Sequence, residues 1–426
     1  MAPVGGDAPM DRQTRRTFLT AAAGGVAAAA FAAPAVHTAR TLRVLGTHVT
    51  LQDAIRRRAE ADTGLRLKFS PGGSSAVLHK ASTQPESFDV YEQWSNSVRV
   101  LWQARAIRPL QTHRVAAWGE INGLPKTGRL SDGDMPGAGD RPDRLIYVRP
   151  DETLGGGETG RISFLPYVHN ADSFGYRPSR LPAGMDSEEE SWGWLLDDRL
   201  RGRVGIVNAP TIGLFDLALA ARAKGLVEFG DIGDLSRAEL DRLFEVVLDY
   251  RRRGHFRGVW GSVPASVDLM QRGEVVAESM FSPGAFDLRR RGVDCVYAAP
   301  KEGYRAWYGV MCLSAAADSW AEGAAYEFMN WWLSGWPGAF IARQGYYISN
   351  PERARRQMSA AEWDFWYAGR PAATDLPGTD GRTVVPKGEI RSGGSYGNRM
   401  GRVAVWNTVM DTYEYSLRRW SEFLTS

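Results

Sequence analysis

Cysteine is scarce in this 426-residue chain, where Cys295 and Cys312 are the only two. Two thiols cannot build a disulfide framework or a zinc knuckle, which need more ligands at closer spacing. One bridge is left open, because the pair flanks a turn between two apolar runs and would close if the Cα atoms came within roughly 7 Å. Lysine is also scarce, at six residues, so nearly all of the 52 basic residues are Arg, which reads as composition bias. They are spread along the chain with 49 acids, giving a formal net charge of +3. Neither nucleic acid nor an anionic membrane is offered a charged platform. Beyond an Ala/Gly-rich run near the N-terminus, no stretch reaches the roughly eighteen uncharged apolar residues that a membrane-spanning helix needs.

Catalytic signatures are missing too. No Gly-rich loop ends in Gly-Lys-Ser/Thr, which excludes the phosphate cradle of an NTPase at motif level. His37, His48, His79, His113, His169 and His255 lie far apart, with no second ligand at helical spacing, so no metal is expected. Gly155–Gly160 has the letters of a dinucleotide fingerprint but does not join a strand to a helix. Gly393–Gly397 has those of a nucleophile elbow, yet a polar run precedes it. With no catalytic residue and no cofactor in view, binding is favoured over turnover. The alternative reading rests on Arg15-Arg16 ahead of an Ala/Gly-rich run, which resembles a twin-arginine signal: a periplasmic enzyme exported by that route, which carries proteins that fold before export.

What the chain does have begins at its N-terminus. Thr14-Arg15-Arg16-Thr17-Phe18-Leu19, an Ala/Gly-rich run over 21–33 and Ala33-Pro34-Ala35 together resemble a twin-arginine export signal, set at residues 1–40. The run is too short for an anchor and no Cys follows it, so the mature protein is expected free in the periplasm.

From Thr41, strand-like and helix-like runs alternate, which argues for α/β lobes with parallel sheets. Strands are expected at 42–46, 65–69, 88–92, 203–207, 275–279, 293–297 and 308–313. Helices are expected at 50–62, 76–81, 213–223, 236–252, 320–332, 361–367 and 400–423. Ser236 and Glu239 fit a capping box, and Gly64 a helix stop. Residues 124–163, rich in Gly, Pro and Asp, read as a long surface insertion with a β-like stretch at 145–148. The length exceeds what one hydrophobic nucleus supports, so two domains are expected.

Several segments together resemble extracellular solute-binding proteins of the spermidine/putrescine type, the periplasmic substrate-binding components of ABC importers. They are Phe88-Asp89-Val90, Leu165-Pro166-Tyr167 leading to Phe174-Gly175-Tyr176, Ser191-Trp192 before Arg201-Gly202-Arg203-Val204, Gly273-Glu274-Val275, Pro300-Lys301-Glu302-Gly303 with Trp307, and Gln344-Gly345-Tyr346. Trp363, Arg391–Ser395, Trp406-Asn407 and Arg419-Trp420 look like the C-terminal extension of a longer subgroup.

The resemblance implies a two-lobed periplasmic binding protein fold of type II with a crossing-strand hinge. Lobe 1 is expected at 41–167 and 308–350, and lobe 2 at 168–307 and 351–426 with a C-terminal helical extension. It places Thr47, His48, Trp94, Ser95, Asn96, Asn208, Phe281, Trp307 and Tyr346 at the ligand cleft. It implies as partners a small solute, whether polyamine, amino-acid-like or opine-like, and a permease with its ATPase, the receptor itself being a monomer. The polyamine pattern is broken at Asn208-Ala209-Pro210-Thr211, which has no acid, and at Gly309, where an Asp would stand. Glu92 or Glu278 is the candidate replacement for the lost carboxylates. One is needed, because burying an unpaired ammonium costs several kcal/mol and an aromatic face returns only roughly 0.5 to 2 kcal/mol.

Overall fold

Short runs of Val, Leu and Ile set the strands of the first half. A computed structural model describes residues 40–134 and 136–426, so the export signal lies outside the described residues apart from Arg40. Strands β1 (Thr41–Thr47), β2 (Arg66–Gly72) and β3 (Val90–Trp94) pair in parallel in the order β2-β1-β3. Helices Asp53–Thr63 and Ser74–Thr83 connect them. The first opens at Gln52 rather than Thr50, and Gly64 stops it at φ 74°, a left-handed conformation that glycine adopts without strain.

The chain leaves this half on β4 (Leu165–Tyr176), whose twelve residues are all buried. Strands β5 (Val204–Val207), β6 (Phe256–Trp260) and β7 (Ala277–Met280) build the second half, and β8 (Tyr304–Ser314) returns to the first. The resulting order is β6-β5-β7-β4-β8-β3-β1-β2. Ser173–Tyr176 of β4 pairs with β7, while Gly309–Leu313 of β8 pairs with β3. Between those stretches β4 and β8 run antiparallel, with Arg305 opposite Asp172 and Tyr308 opposite His169. Each long strand therefore belongs to both halves, and the chain crosses where the two strands face each other. The third connection is β9 (Val403–Trp406), parallel to β8 at Tyr304–Ala306.

The apolar residues separate accordingly. One cluster holds Leu42, Val90, Leu165, Met311 and Trp332; a second holds Phe174, Trp192, Ile206, Phe215 and Phe423; a small third holds Val267, Met280 and Cys295. Of the segment 351–426 expected with the second lobe, Phe365, Trp366 and Met400 share the first cluster, whereas Met410 and Trp420 pack into the second. The capping box at Ser236 and Glu239 is present on helix Arg237–Arg252.

Two expectations fail, and the question of the cysteine bridge is answered. Residues 124–163 are not only surface: Leu124, Leu145, Ile146 and Ile162 are fully buried in the first cluster, and short helices at Leu124–Thr127 and Pro142–Leu145 carry part of the segment. Their scattered apolar residues do the anchoring while Gly and Pro shape the turns between. Cys295 and Cys312 are free and lie in different clusters, so no bridge forms. The helix expected at 400–423 is instead β9 and a helix at Tyr413–Thr425, since Gly401 ends the preceding Tyr396–Met400 turn and Val403-Ala404-Val405-Trp406 alternates as a strand.

Candidate functional site

Parallel strands in both halves end on the same gap. Trp94 closes β3, Val207 closes β5, Trp260 closes β6, and Phe281 follows β7. Carboxyl ends of parallel strands are where open α/β sheets bind ligands, because the chain turns there and leaves a crevice. Here they line a cavity of about 290 Å³.

Aromatic rings form its walls. On one side Trp307 lies between Trp94, at 4.6 Å, and Tyr346, at 5.4 Å, with both rings edge-on to it. On the other side Trp260 meets Phe281 edge-to-face at 5.5 Å. Locking the rings against each other fixes their faces and edges before a guest arrives. Polar groups are few. The Trp94 indole N–H donates to the Ser74 hydroxyl at 3.2 Å, and Trp420 from the C-terminal helix donates to Asn208 Oδ1 at 3.1 Å.

Asp172 is the one charged side chain in the lining. It stands on β4 at the crossing, 1% exposed, and accepts from the Tyr297 hydroxyl at 3.1 Å and from the Asn170 amide at 3.2 Å, both on Oδ1. Its Oδ2 has no hydrogen-bond donor and lies 3.6 Å from Arg305 Nη1. Burial pushes the Asp172 carboxyl up, and Arg305, Tyr297 and the Trp307 indole pull it back. Arg305, fully buried, gives its Nε–H to Asp216 Oδ1 at 2.7 Å and a longer bond to Asn407 Oδ1 at 3.3 Å. One guanidinium thus serves two carboxylates at the base of the cavity, and Arg399 acts on Asp172 only from beyond ion-pair distance.

Glu92 and Glu278 do not take that part. Glu92 is buried beneath β1, accepting from the Thr47 backbone N–H at 3.1 Å and from the Tyr167 hydroxyl. Glu278 faces the core of the second half, 3.1 Å from the Ser266 hydroxyl. Neither lines the cavity. Of the nine expected site residues, Trp94, Asn208, Phe281, Trp307 and Tyr346 line it; Thr47 and Ser95 are buried outside the lining, Asn96 is half-buried outside it, and His48 is exposed. The reading from sequence missed Asp172, Trp260, Ser262 and Asn407. Trp260 ends a strand that Arg257 and Gly258 disguise, and Asn407 was hidden by reading 400–423 as helix.

The model of the family described as bacterial extracellular solute-binding protein matches residues 54–365. The chain belongs to that family. Among curated proteins, no sequence matches it significantly. Solved structures similar in fold include the spermidine/putrescine ABC transporter substrate-binding protein PotD from Streptococcus pneumoniae, at 11% identity and TM-score 0.61 over 91% of this chain and 99% of that one. The TpPotD lipoprotein of Treponema pallidum aligns at 10% identity and TM-score 0.62, covering 90% of this chain and 99% of that one. The AgtB binding protein of Agrobacterium tumefaciens, solved with agropinic acid, aligns at 14% identity and TM-score 0.52 over 92% and 100%. The solute-binding chain therefore has the two-lobed periplasmic binding protein fold, with its cavity at the crossing between the halves.

Proposed function

We propose that this protein is the periplasmic receptor of an ABC importer, exported by the twin-arginine route, and that it captures a small solute bearing one positively charged nitrogen on an apolar body. It acts as a monomer, closes its lobes on the guest by hinge motion, and hands it to a membrane permease driven by an ATPase. The observation that carries the ligand class is the open Oδ2 of Asp172 at the base of an aromatic-walled cavity. A carboxylate with a free lone pair, left short of positive charge by sharing Arg305 with Asp216, favours a cation. The faces of Trp94, Trp307, Tyr346, Trp260 and Phe281 add cation–π attraction and bury the apolar body.

The structural neighbours support the importer role by fold, and the ligands in their names differ, from spermidine and putrescine to agropinic acid. A polyamine carries two or more ammonium groups, each needing a partner when buried, whereas this cavity offers one charged group. Trp94, Asn208, Phe281, Trp307 and Tyr346 are assigned to the solute; Thr47, His48, Ser95 and Asn96 are not, since they stand outside the lining.

Thermal-shift screening with mono-ammonium solutes, diamines, amino acids and opines tests the reading. A ligand at 100 times its Kd adds about 2.7 kcal/mol of stability. The largest shift is expected from a mono-ammonium solute recovered unchanged. Stabilisation by anions alone would overturn the ligand class, and turnover of the solute would favour the enzyme alternative.

A further inference from the structure

A second, much smaller cavity lies outside the solute site, between helix Ser282–Arg290 and the segment holding Arg391 and Arg399. Its volume of about 20 Å³ has room for one water-sized guest. Its lining includes Ser282, Tyr297, Ser392 and the two arginines.

Both arginines are buried, at 6% and 1% exposure. Arg391 donates to the carbonyls of Trp366 at 2.6 Å and Gly345 at 2.7 Å, and Arg399 to those of Ser392 at 2.9 Å and Ala171 at 2.7 Å. The Nε–H of Arg399 has no acceptor. Aromatic rings complete the surroundings, with Tyr347 4.7 Å from Arg391 and Tyr304 4.9 Å from Arg399. Carbonyls and ring faces satisfy hydrogen bonds without cancelling charge. Among the described residues neither guanidinium forms an ion pair, whereas Arg305, equally buried, has two carboxylates, and Arg289 at the rim has Glu389.

Two buried guanidiniums side by side are costly, with Asp172 acting on Arg399 only from beyond ion-pair distance, and Arg does not shed its proton at neutral pH to relieve the cost. Burial lowers Arg391 only to about 10. The backbone is shaped for the crowding: Gly393, at φ 79°, sits where a Cβ would fall 2.2 Å from the Tyr304 hydroxyl and 3.1 Å from Arg399. A counter-charge small enough for the cavity meets the need, and a single small anion suits so small a space better than sulfate or phosphate.

We infer that this cavity binds a monatomic halide, chloride under physiological conditions, as the counter-ion of Arg391 and Arg399. The bound ion ties the C-terminal segment to helix Ser282–Arg290 of the second half.

Melting the full-length protein in sodium chloride, sodium bromide or sodium gluconate at equal ionic strength tests this, together with anomalous diffraction from a bromide-soaked crystal. Higher melting temperatures in both halides and a bromide peak between the two guanidiniums are expected. Arg391→Gln and Arg399→Gln should each weaken halide-dependent stabilisation at least tenfold in halide concentration. Identical melting in chloride and gluconate, or a cavity holding water only, would overturn the proposal. Because a charge-removing variant can fail to fold, the wild-type bromide map decides alone: a peak in this cavity supports the site, and bromide found only elsewhere refutes it.

Discussion

Asp172 and Arg305 face each other 3.6 Å apart at the register pair where β4 and β8 cross between the halves. The pair is at once part of the crossing and part of the cavity base, so the charge that would meet a guest also sits on the strands that would bend. Arg305 keeps a second, closer partner in Asp216 at 2.7 Å, which frees Asp172 to turn part of its charge toward the cavity. A cation bound at Asp172, as proposed, would act on the crossing through one guanidinium.

Replacing the acid isolates that coupling. Asp172→Asn should weaken binding of a mono-ammonium solute at least tenfold, about 1.4 kcal/mol, by isothermal titration. Folding should be affected less than for most buried charges, because Arg305 still pairs with Asp216. Unchanged affinity would move the cation subsite elsewhere.

Trp307 sits between Trp94 and Tyr346 and is 6% exposed, so it is wall and core together. Trp307→Ala should lower solute affinity at least tenfold and also cost about 3 kcal/mol or more of stability, as large-to-small changes in packed sites do. Trp307→Phe should recover most of the stability but only part of the affinity, since the smaller ring is the weaker cation–π partner. Titration of both variants well below their melting points separates the two effects; a phenylalanine variant with full affinity would remove Trp307 from the site.

The alternation of strands and helices was legible because each run carries its own period and punctuation, as at Gly64 and at the Ser236–Glu239 box. The aromatic half of the site was legible for a related reason: residues that follow parallel strands face the crevice, and Trp94, Asn208 and Phe281 do so. Asp172 was not. It lies inside a strand buried along its whole length, where alternation gives no sign of which side chain meets a cavity. Its role depends on Arg305 and Asp216, distant in sequence and brought together only by the crossing. Glu92 and Glu278 stand inside β3 and β7 rather than after them, and neither lines the cavity.

His169 on β4 is fully buried, with Nε2 2.9 Å from the Tyr396 hydroxyl and Nδ1 unpartnered. Desolvation lowers its pKa to about 3, against an ordinary 6.5. The folded protein keeps the ring neutral while the unfolded chain takes up a proton, so its contribution is complete above pH 6.5 and is lost as pH falls from there toward 3. The slope approaches about 1.4 kcal/mol per pH unit. Urea denaturation at pH 4 to 7 should show a shallower acid loss for His169→Gln than for the wild type; parallel curves would mean the ring is charged in the fold.

Glu278 works in the opposite direction. It is buried in the second half with only the Ser266 hydroxyl, 3.1 Å away, beside one oxygen and nothing hydrogen-bonded to the other. Desolvation raises its carboxyl well above the ordinary 4.5. Below pH 4.5 folded and unfolded chains both hold the proton and the group is neutral in the balance. Above it the unfolded chain ionises while the fold retains the proton, so stability drains away as pH rises through the window between the two values. Glu278→Gln keeps the shape and removes the titration. The variant should match the wild type near pH 4 and become the more stable protein by pH 8, with the gap in melting temperature widening steadily between. A gap that closes instead as pH rises would mean that Glu278 is ionised in the fold and held by a cation, and the second half would then need a buried partner for it that Ser266 does not supply.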